Sequence, residues 1–313
     1  DIEVFIKYGM LTDEKFYESA KKFFLLKDVN GNYYTLDEYR TLVEAAQTDK
    51  EGTVVYLYAS DKTSQYAYIQ GAEEKGYNVL LLDGQLDRHA VGMLESKLEK
   101  TRFVRVDSDT PERLIRKDDD KKADLSPLQA DMLTTIFRTQ MPEVKDTNFI
   151  VEYNALSEKD APAVITQNEM MRRMKDMAEL QPGMNFYGQM PDMYSLVVNT
   201  CQPAVKRILK DAEESVESVV RPIRDEIESF NSQISDLRKR LEDKDADKEA
   251  INKQVSDLEA EVGKSREKEE AVIKEYAAGV ANVKQIIDLA LLQSGLLKGE
   301  ALSAFIRRSA ALL

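Results

Sequence analysis

The sequence predicts an α/β unit followed by an α+β unit: a small three-layer αβα domain with a short parallel sheet, then an α+β domain with an inserted antiparallel coiled-coil hairpin. Three observations predict it. Short β-rich runs alternate with helical patterns up to about residue 107. Strand and helix signals are grouped together beyond residue 127. Between Asp211 and Glu275 an apolar seam steps by three and four. At 313 residues the chain is long enough for two domains.

In the first unit, Asp13 to Leu26 reads as a helix, followed by a turn at Val29-Asn30-Gly31-Asn32. Thr35 with Glu38 three residues on is a capping box that opens the next helix. Val54 to Tyr58 is rich in β-formers, and a helix from Lys62 to Lys75 closes at Gly76. Tyr77 to Leu82 is almost wholly apolar, as expected of a strand covered on both faces. A helix from Asp87 to Lys100 and a strand from Phe103 to Val106 complete the pattern, which implies a parallel sheet with right-handed crossovers.

Residues 108–127 read as a linker, because Lys117 to Lys122 is a charge run without periodicity. The second domain is predicted over 128–313. It holds a helix at Leu128 to Thr139, strands at Phe149 to Tyr153, Ala163 to Thr166 and Ser195 to Asn199, and the hairpin over 211–275. The hairpin seam runs through Val220, Ile223, Ile227, Phe230, Ile234, Leu237 and Leu241, and resumes at Ile251, Val255, Leu258 and Val262. It fades through Ser265 and Glu269 and recovers at Val272 and Tyr276. Each arm is expected to be on the order of 30 Å long. The stretch carries 12 basic and 20 acidic residues, which places most of the chain's net charge of −13 on its solvated faces. Two apolar helices follow, from Val280 to Gln293 and from Ala301 to Leu312. We expect them to meet a second copy in a four-helix bundle rather than to pack on their own domain.

Seven of the eleven methionines fall between Met170 and Met193. Met170, Met174 and Met177 lie on one face of a helix capped at Asn168, and Pro182-Gly183 stops it. Methionine's flexible thioether suits either a core filler or an adaptable binding face. Met184, Met190 and Met193 lie beyond the stop and read as core or loop packing.

The net negative charge argues against nucleic-acid partners and against anionic membrane surfaces. No stretch approaches the roughly 20 apolar residues of a membrane span. The single cysteine, Cys201, reads as a buried structural thiol and suits a cytoplasmic location. The single histidine, His89, excludes His-rich metal clusters and fits a helix surface. Neither a Walker loop nor a GxGxxG follows a strand, and Gly84 alone could line a crevice. These residues predict no catalysis by the chain itself, and its abrupt start suggests an excised part of a larger protein.

Read together, FIKYGMLTDEKFY, TLDEY, YLYASD and KGYNVLLLDGQLD resemble the end of the middle domain of the ninety-kilodalton heat-shock chaperones. DAPAVITQNEMMRRM, MPDMYSLVV, IIDLALLQSGLL and FIRR resemble the C-terminal dimerisation domain of the bacterial members. The resemblance implies an ATP-driven homodimeric chaperone of the cytoplasm that binds unfolded or partly folded client proteins and co-chaperones. Its ATP and magnesium site would precede Asp1, so no cofactor is expected in this chain. The family's client-contacting helix falls on Met170, Met171, Met174 and Met177. The dimer bundle falls on Val283, Ile286, Ile287, Leu291, Leu302, Phe305 and Ile306. Three departures stand out. The hairpin has no counterpart in the common bacterial pattern, His89 stands where the family has an aromatic client contact, and no acidic tail follows. The competing reading is a coiled-coil adaptor that binds a partner through the hairpin.

Overall fold

The computed structural model describes residues 2–117, 123–180, 190–241 and 247–311, and it is a mixed α/β structure. Two helices open it, α1 (Ile2–Thr12) and α2 (Glu14–Ala20). The helix expected to reach Leu26 ends at Ala20. Asp13 caps α2 by accepting from the Lys15 and Phe16 N–H groups, and the chain then turns into a hairpin of β1 (Leu25–Lys27) and β2 (Tyr33–Thr35). Burial of Phe24 and Leu26 overrides local helix preference here. The turn is held by Asp28, whose carboxylate accepts from the Asn30 and Asn32 N–H groups at 2.9 and 2.8 Å, with Gly31 at φ +87°. Thr35 forms the expected capping box with Glu38 at the start of α3 (Leu36–Gln47).

The parallel sheet consists of β3 (Val54–Ala59), β4 (Val79–Leu81) and β5 (Thr101–Arg105) in the order β4-β3-β5. All six residues of β3 are buried, so its side chains feed two cores. Tyr56 and Tyr58 join Tyr39, Leu94 and Phe103 on one face, and Val55 and Leu57 join Ile69, Val79 and Val104 on the other. Tyr39, Tyr56 and Phe103 pack edge to face with centroids 4.8 and 5.2 Å apart. The crossover helices are α4 (Tyr66–Glu74) and α5 (Asp87–Lys97), both shorter than expected. At α4, Asp61 accepts from Thr63 and Ser64 N–H and holds residues 61–64 as a turn. Beyond α5, Lys100 takes φ 47° to enter β5.

The stretch read as a linker is partly packed. A short helix, α6 (Pro111–Leu114), places Thr110, Leu114 and Ile115 fully or almost fully out of solvent. The charge run at Lys117 to Lys122 lies almost wholly outside the described residues.

The second sheet comprises β6 (Thr147–Asn154), β7 (Ala163–Gln167) and β8 (Asp192–Asn199) in the order β6-β8-β7, with β6 parallel and β7 antiparallel to β8. Against one face lies α7 (Pro127–Gln140), followed in sequence by α8 (Glu169–Leu180) after β7. Ala163 and Ile165 point into this second core, while Val164, between them, belongs to the core of the first sheet. The units are further joined by Tyr68, whose hydroxyl donates to the Ile165 carbonyl at 2.6 Å, and by Asn154, which donates to the Thr110 hydroxyl.

The hairpin is longer than expected. It is formed by α9 (Pro203–Arg240) and α10 (Lys248–Ala278), about 57 and 46 Å at 1.5 Å per residue. Its base is not solvated: Val205, Ile208, Ala212, Val216, Val220, Ile273 and Ala277 are part of the second core. Only the distal part stands on its own cluster, Ile234, Ile251, Val255 and Val262. Where the seam fades, polar groups fill it: Ser265 donates to Glu226 at 3.0 Å, and Arg224 pairs with Glu269 at 2.7 Å.

The last two helices are α11 (Ala281–Gln293) and α12 (Gly299–Ala310). Val283, Ile286, Ile287, Leu291 and Phe305 pack inside their own chain, in the core with α7 and β7. Asp288 is buried between Lys284 and Arg308, and this ion pair ties α12 to α11. We expect Ile287→Ala to cost about 2–5 kcal/mol in equilibrium urea unfolding and Val219→Ala, at an exposed site of α9, less than about 0.5 kcal/mol. Equal losses would mean that Val219 is held in a core.

Candidate functional site

The methionine helix α8 forms where the sequence places it. Asn168 is its N-cap, with its side-chain oxygen accepting from the Met170 and Met171 N–H groups at 3.0 and 3.2 Å. Glu169, at the first position, receives Arg172 at 2.7 Å and Arg173 at 2.6 Å from one turn further on. Arg173 also reaches Glu95 of α5 at 2.6 Å and donates to the Phe103 carbonyl of β5 at 2.6 Å. Arg172 is buried and donates to the Tyr58 hydroxyl at 2.6 Å. One side of α8 is thereby fastened to the first sheet by charge-assisted bonds.

The electrostatics follow from this burial. Desolvation pushes the Glu169 carboxyl up, but Arg172 and Arg173 outweigh it and hold Glu169 below its ordinary value. Desolvation pulls Arg173 down, and Glu95 and Glu169 reverse it, so its guanidinium stays charged. Burial raises the Tyr58 hydroxyl to about 12, which keeps it a neutral donor and acceptor.

The methionines divide between two recesses. Met170, 70 % exposed, and Met174 line a groove of about 650 Å³ with Phe103, Val104 and Leu114. Met171 and Met174 close a cleft of about 20 Å³ with Met190 and Met193. Those last two, read as ordinary packing, therefore line the same cleft as the helix. The Met177 side chain and the whole of Met184 lie outside the described residues. The partners that orient the helix, Glu95, Tyr58, Arg172 and Arg173, were not anticipated. The Glu169, Arg172, Arg173 spacing was the available signal, since these residues share a face offset from Met170 and Met174.

A third recess, about 540 Å³, lies at the carboxyl ends of β3 and β4 and is lined by Gly84, His89, Arg105 and Arg172. The Gly84 N–H is taken by the Asp87 carboxylate at 2.8 Å, and Asp87 in turn pairs with the buried Lys7. His89 is exposed on α5. Cys201, expected to be buried, is half-buried and free. No helix among the described residues is long and apolar enough to cross a membrane, and no group of three His, Cys, Asp or Glu among them is arranged to hold a metal.

Of the residues assigned to a partner contact, only Leu302, half-buried, and Ile306, 56 % exposed, remain accessible. Leu289 and Leu292 of α11 are exposed too and were not singled out. They lie three residues apart on the side of α11 away from Val283 and Ile287.

No family model matches the chain. Among curated proteins it is 48 % identical over 316 residues to the chaperone protein HtpG of Porphyromonas gingivalis, which covers 100 % of the chain and 46 % of that protein. Chaperone proteins HtpG of Bacteroides fragilis and Bacteroides thetaiotaomicron are 46 % and 44 % identical over 317 residues, again with 100 % of the chain and 46 % of each relative covered. The chain thus spans about half the length of the curated relatives it matches. Similarity of this depth along the whole chain places it in the ninety-kilodalton heat-shock family, among the bacterial HtpG chaperones.

Proposed function

We propose that this chain is the client-holding and dimer-forming part of an ATP-driven cytoplasmic chaperone, with the ATP and magnesium site in a part of the protein outside it. The domain division we adopt is 1–107, a connecting stretch 108–127, and 128–313 with the hairpin. The observation that carries the client reading is the position of Met170 and Met174. They lie in and beside an open groove, on a helix whose other side is fixed by Glu169, Arg172 and Arg173. A rigid helix with flexible, polarizable side chains can contact many sequences without first being ordered. Similarity to proteins named as chaperones points the same way.

For the homodimer we retain Leu302 and Ile306 and add Leu289 and Leu292, all on the outer side of α11 and α12. Burying such side chains yields about 25 cal/mol per Å² of apolar surface. Co-chaperones are a further partner class by family resemblance. The adaptor reading keeps one supporting observation, the distal cluster that lets the hairpin stand beyond the core.

Two outcomes follow. Changing Met170, Met174 and Met177 together to Ser should weaken binding of a reduced, unfolded protein by about tenfold, or 1.4 kcal/mol, with the dimer intact in sedimentation equilibrium. Unchanged binding would move the client surface elsewhere, and loss of binding on deleting residues 229–265 instead would favour the adaptor. Leu289→Glu combined with Ile306→Glu should give folded monomers. Charge at Ile287 or Phe305 should unfold the chain rather than dissociate it, because both are core residues.

A further inference from the structure

The groove beside Met170 has a wall with a specific chemistry. It is the free edge of a β-sheet. In the order β4-β3-β5, strand β5 has a neighbouring strand on one side only among the described residues. Val54 N–H donates to the Lys100 carbonyl and Val106 N–H to the Tyr58 carbonyl. Even-numbered residues of β5 therefore face β3, and Thr101, Phe103 and Arg105 turn their backbone groups outward. Those groups are covered by side chains. The Phe103 N–H donates to Glu95 at 2.6 Å, the Phe103 carbonyl accepts from Arg173 at 2.6 Å, and the Arg105 N–H donates to Glu169 at 3.4 Å. Acceptor, donor and acceptor alternate where a neighbouring strand would put its own carbonyl and N–H groups.

We propose that the edge of β5 and the groove under α8 together dock an extended polypeptide segment carrying alternating apolar and acidic residues, which adds to β5 as a fourth strand. This deepens the client reading above and rests on it. The backbone of the segment replaces the Glu95 and Arg173 caps on Phe103, its apolar side chains enter the recess of Met170, Met174, Phe103 and Leu114, and its length along β5 is about 17 Å at 3.3–3.4 Å per residue.

Charge fixes the kind of segment. The chain as a whole carries −13, yet in the groove Arg102, Arg113, Arg116 and Arg173 stand against Glu95, Asp109 and Glu169, and Glu95 and Glu169 are both paired with Arg173. Arg113 is already engaged by Glu152 and the Tyr153 carbonyl. The Arg102 Nε is buried without a hydrogen-bond partner. A buried guanidinium N–H without an acceptor is a costly arrangement that an incoming carboxylate relieves. Arg116 is exposed at the same rim.

The experiment uses the 313-residue chain and a fluorescent ten-residue peptide of alternating glutamate and valine. Three further peptides complete it: one with lysine for glutamate, and two N-methylated at alternate positions along one edge or the other. The glutamate peptide should bind at least about tenfold tighter than the lysine peptide, and methylation along only one of the two edges should weaken it by about tenfold or more. Arg102→Gln with Arg116→Gln should remove most of the preference for glutamate. Glu95→Gln with Arg173→Met, checked for an unchanged helix signal by circular dichroism, should tighten binding about threefold or more by uncovering the edge. Equal binding of both N-methylated peptides, or no preference for glutamate, would overturn the strand-addition proposal. If no peptide binds while a reduced unfolded protein is still held through Met170 and Met174, the groove proposal fails and the client reading stands. If the unfolded protein is not held either, both fail.

Discussion

The ion-pair network of Glu169, Arg172, Arg173 and Glu95 is the interaction on which the arrangement of the candidate site depends. It links the first turn of α8 to α5 and β5 across the two sheets. Each member is partly or largely shielded from water, so the pairs are stronger than surface pairs but carry a desolvation cost. Arg172 and Arg173 both lie against Glu169 and keep it ionised despite its burial. The network also uses backbone groups of β5, which would otherwise be open to pairing with another chain. One set of side chains thus orients the methionine helix and covers the sheet edge beside it.

Much of the fold was legible because its signals are local. The capping box at Thr35, the apolar run at β3, the cap at Asn168 and the three-four seam of the hairpin each report on neighbours within one or two turns. The elements that were misread depend on distant contacts. Phe23 to Leu26 has the composition of a helix end, but Leu26 is drawn into the core around Tyr39 and Tyr56. Residues 108–117 look like a solvated connection by charge, but Thr110 and Ile115 find partners on the second sheet and in the first core.

The candidate site shows the same division. The methionine face was legible from helical periodicity and from resemblance to a family. The groove it overlooks was not, since that requires knowing that β5 is at an edge and that Glu95 and Arg173 meet across 78 residues of sequence. The terminal helices divide in another way. Their apolar content was read as a demand for a partner, whereas most of it is met by α7 and β7 in the same chain. What distinguishes the two cases is the side of the helix, and α11 is apolar on more than one side.

Strand β7 has a mechanical consequence. Its alternating side chains are shared between the two cores, with Ala163 and Ile165 on one side and Val164 on the other. A wall common to two rooms cannot be moved without opening both. Rotation of one sheet against the other would expose Val164 and strip the Tyr68 hydroxyl of its acceptor. The two sheets are therefore expected to transmit torque as one stiff body. Bending in a longer molecule that contains this chain would have to occur at joints other than β7.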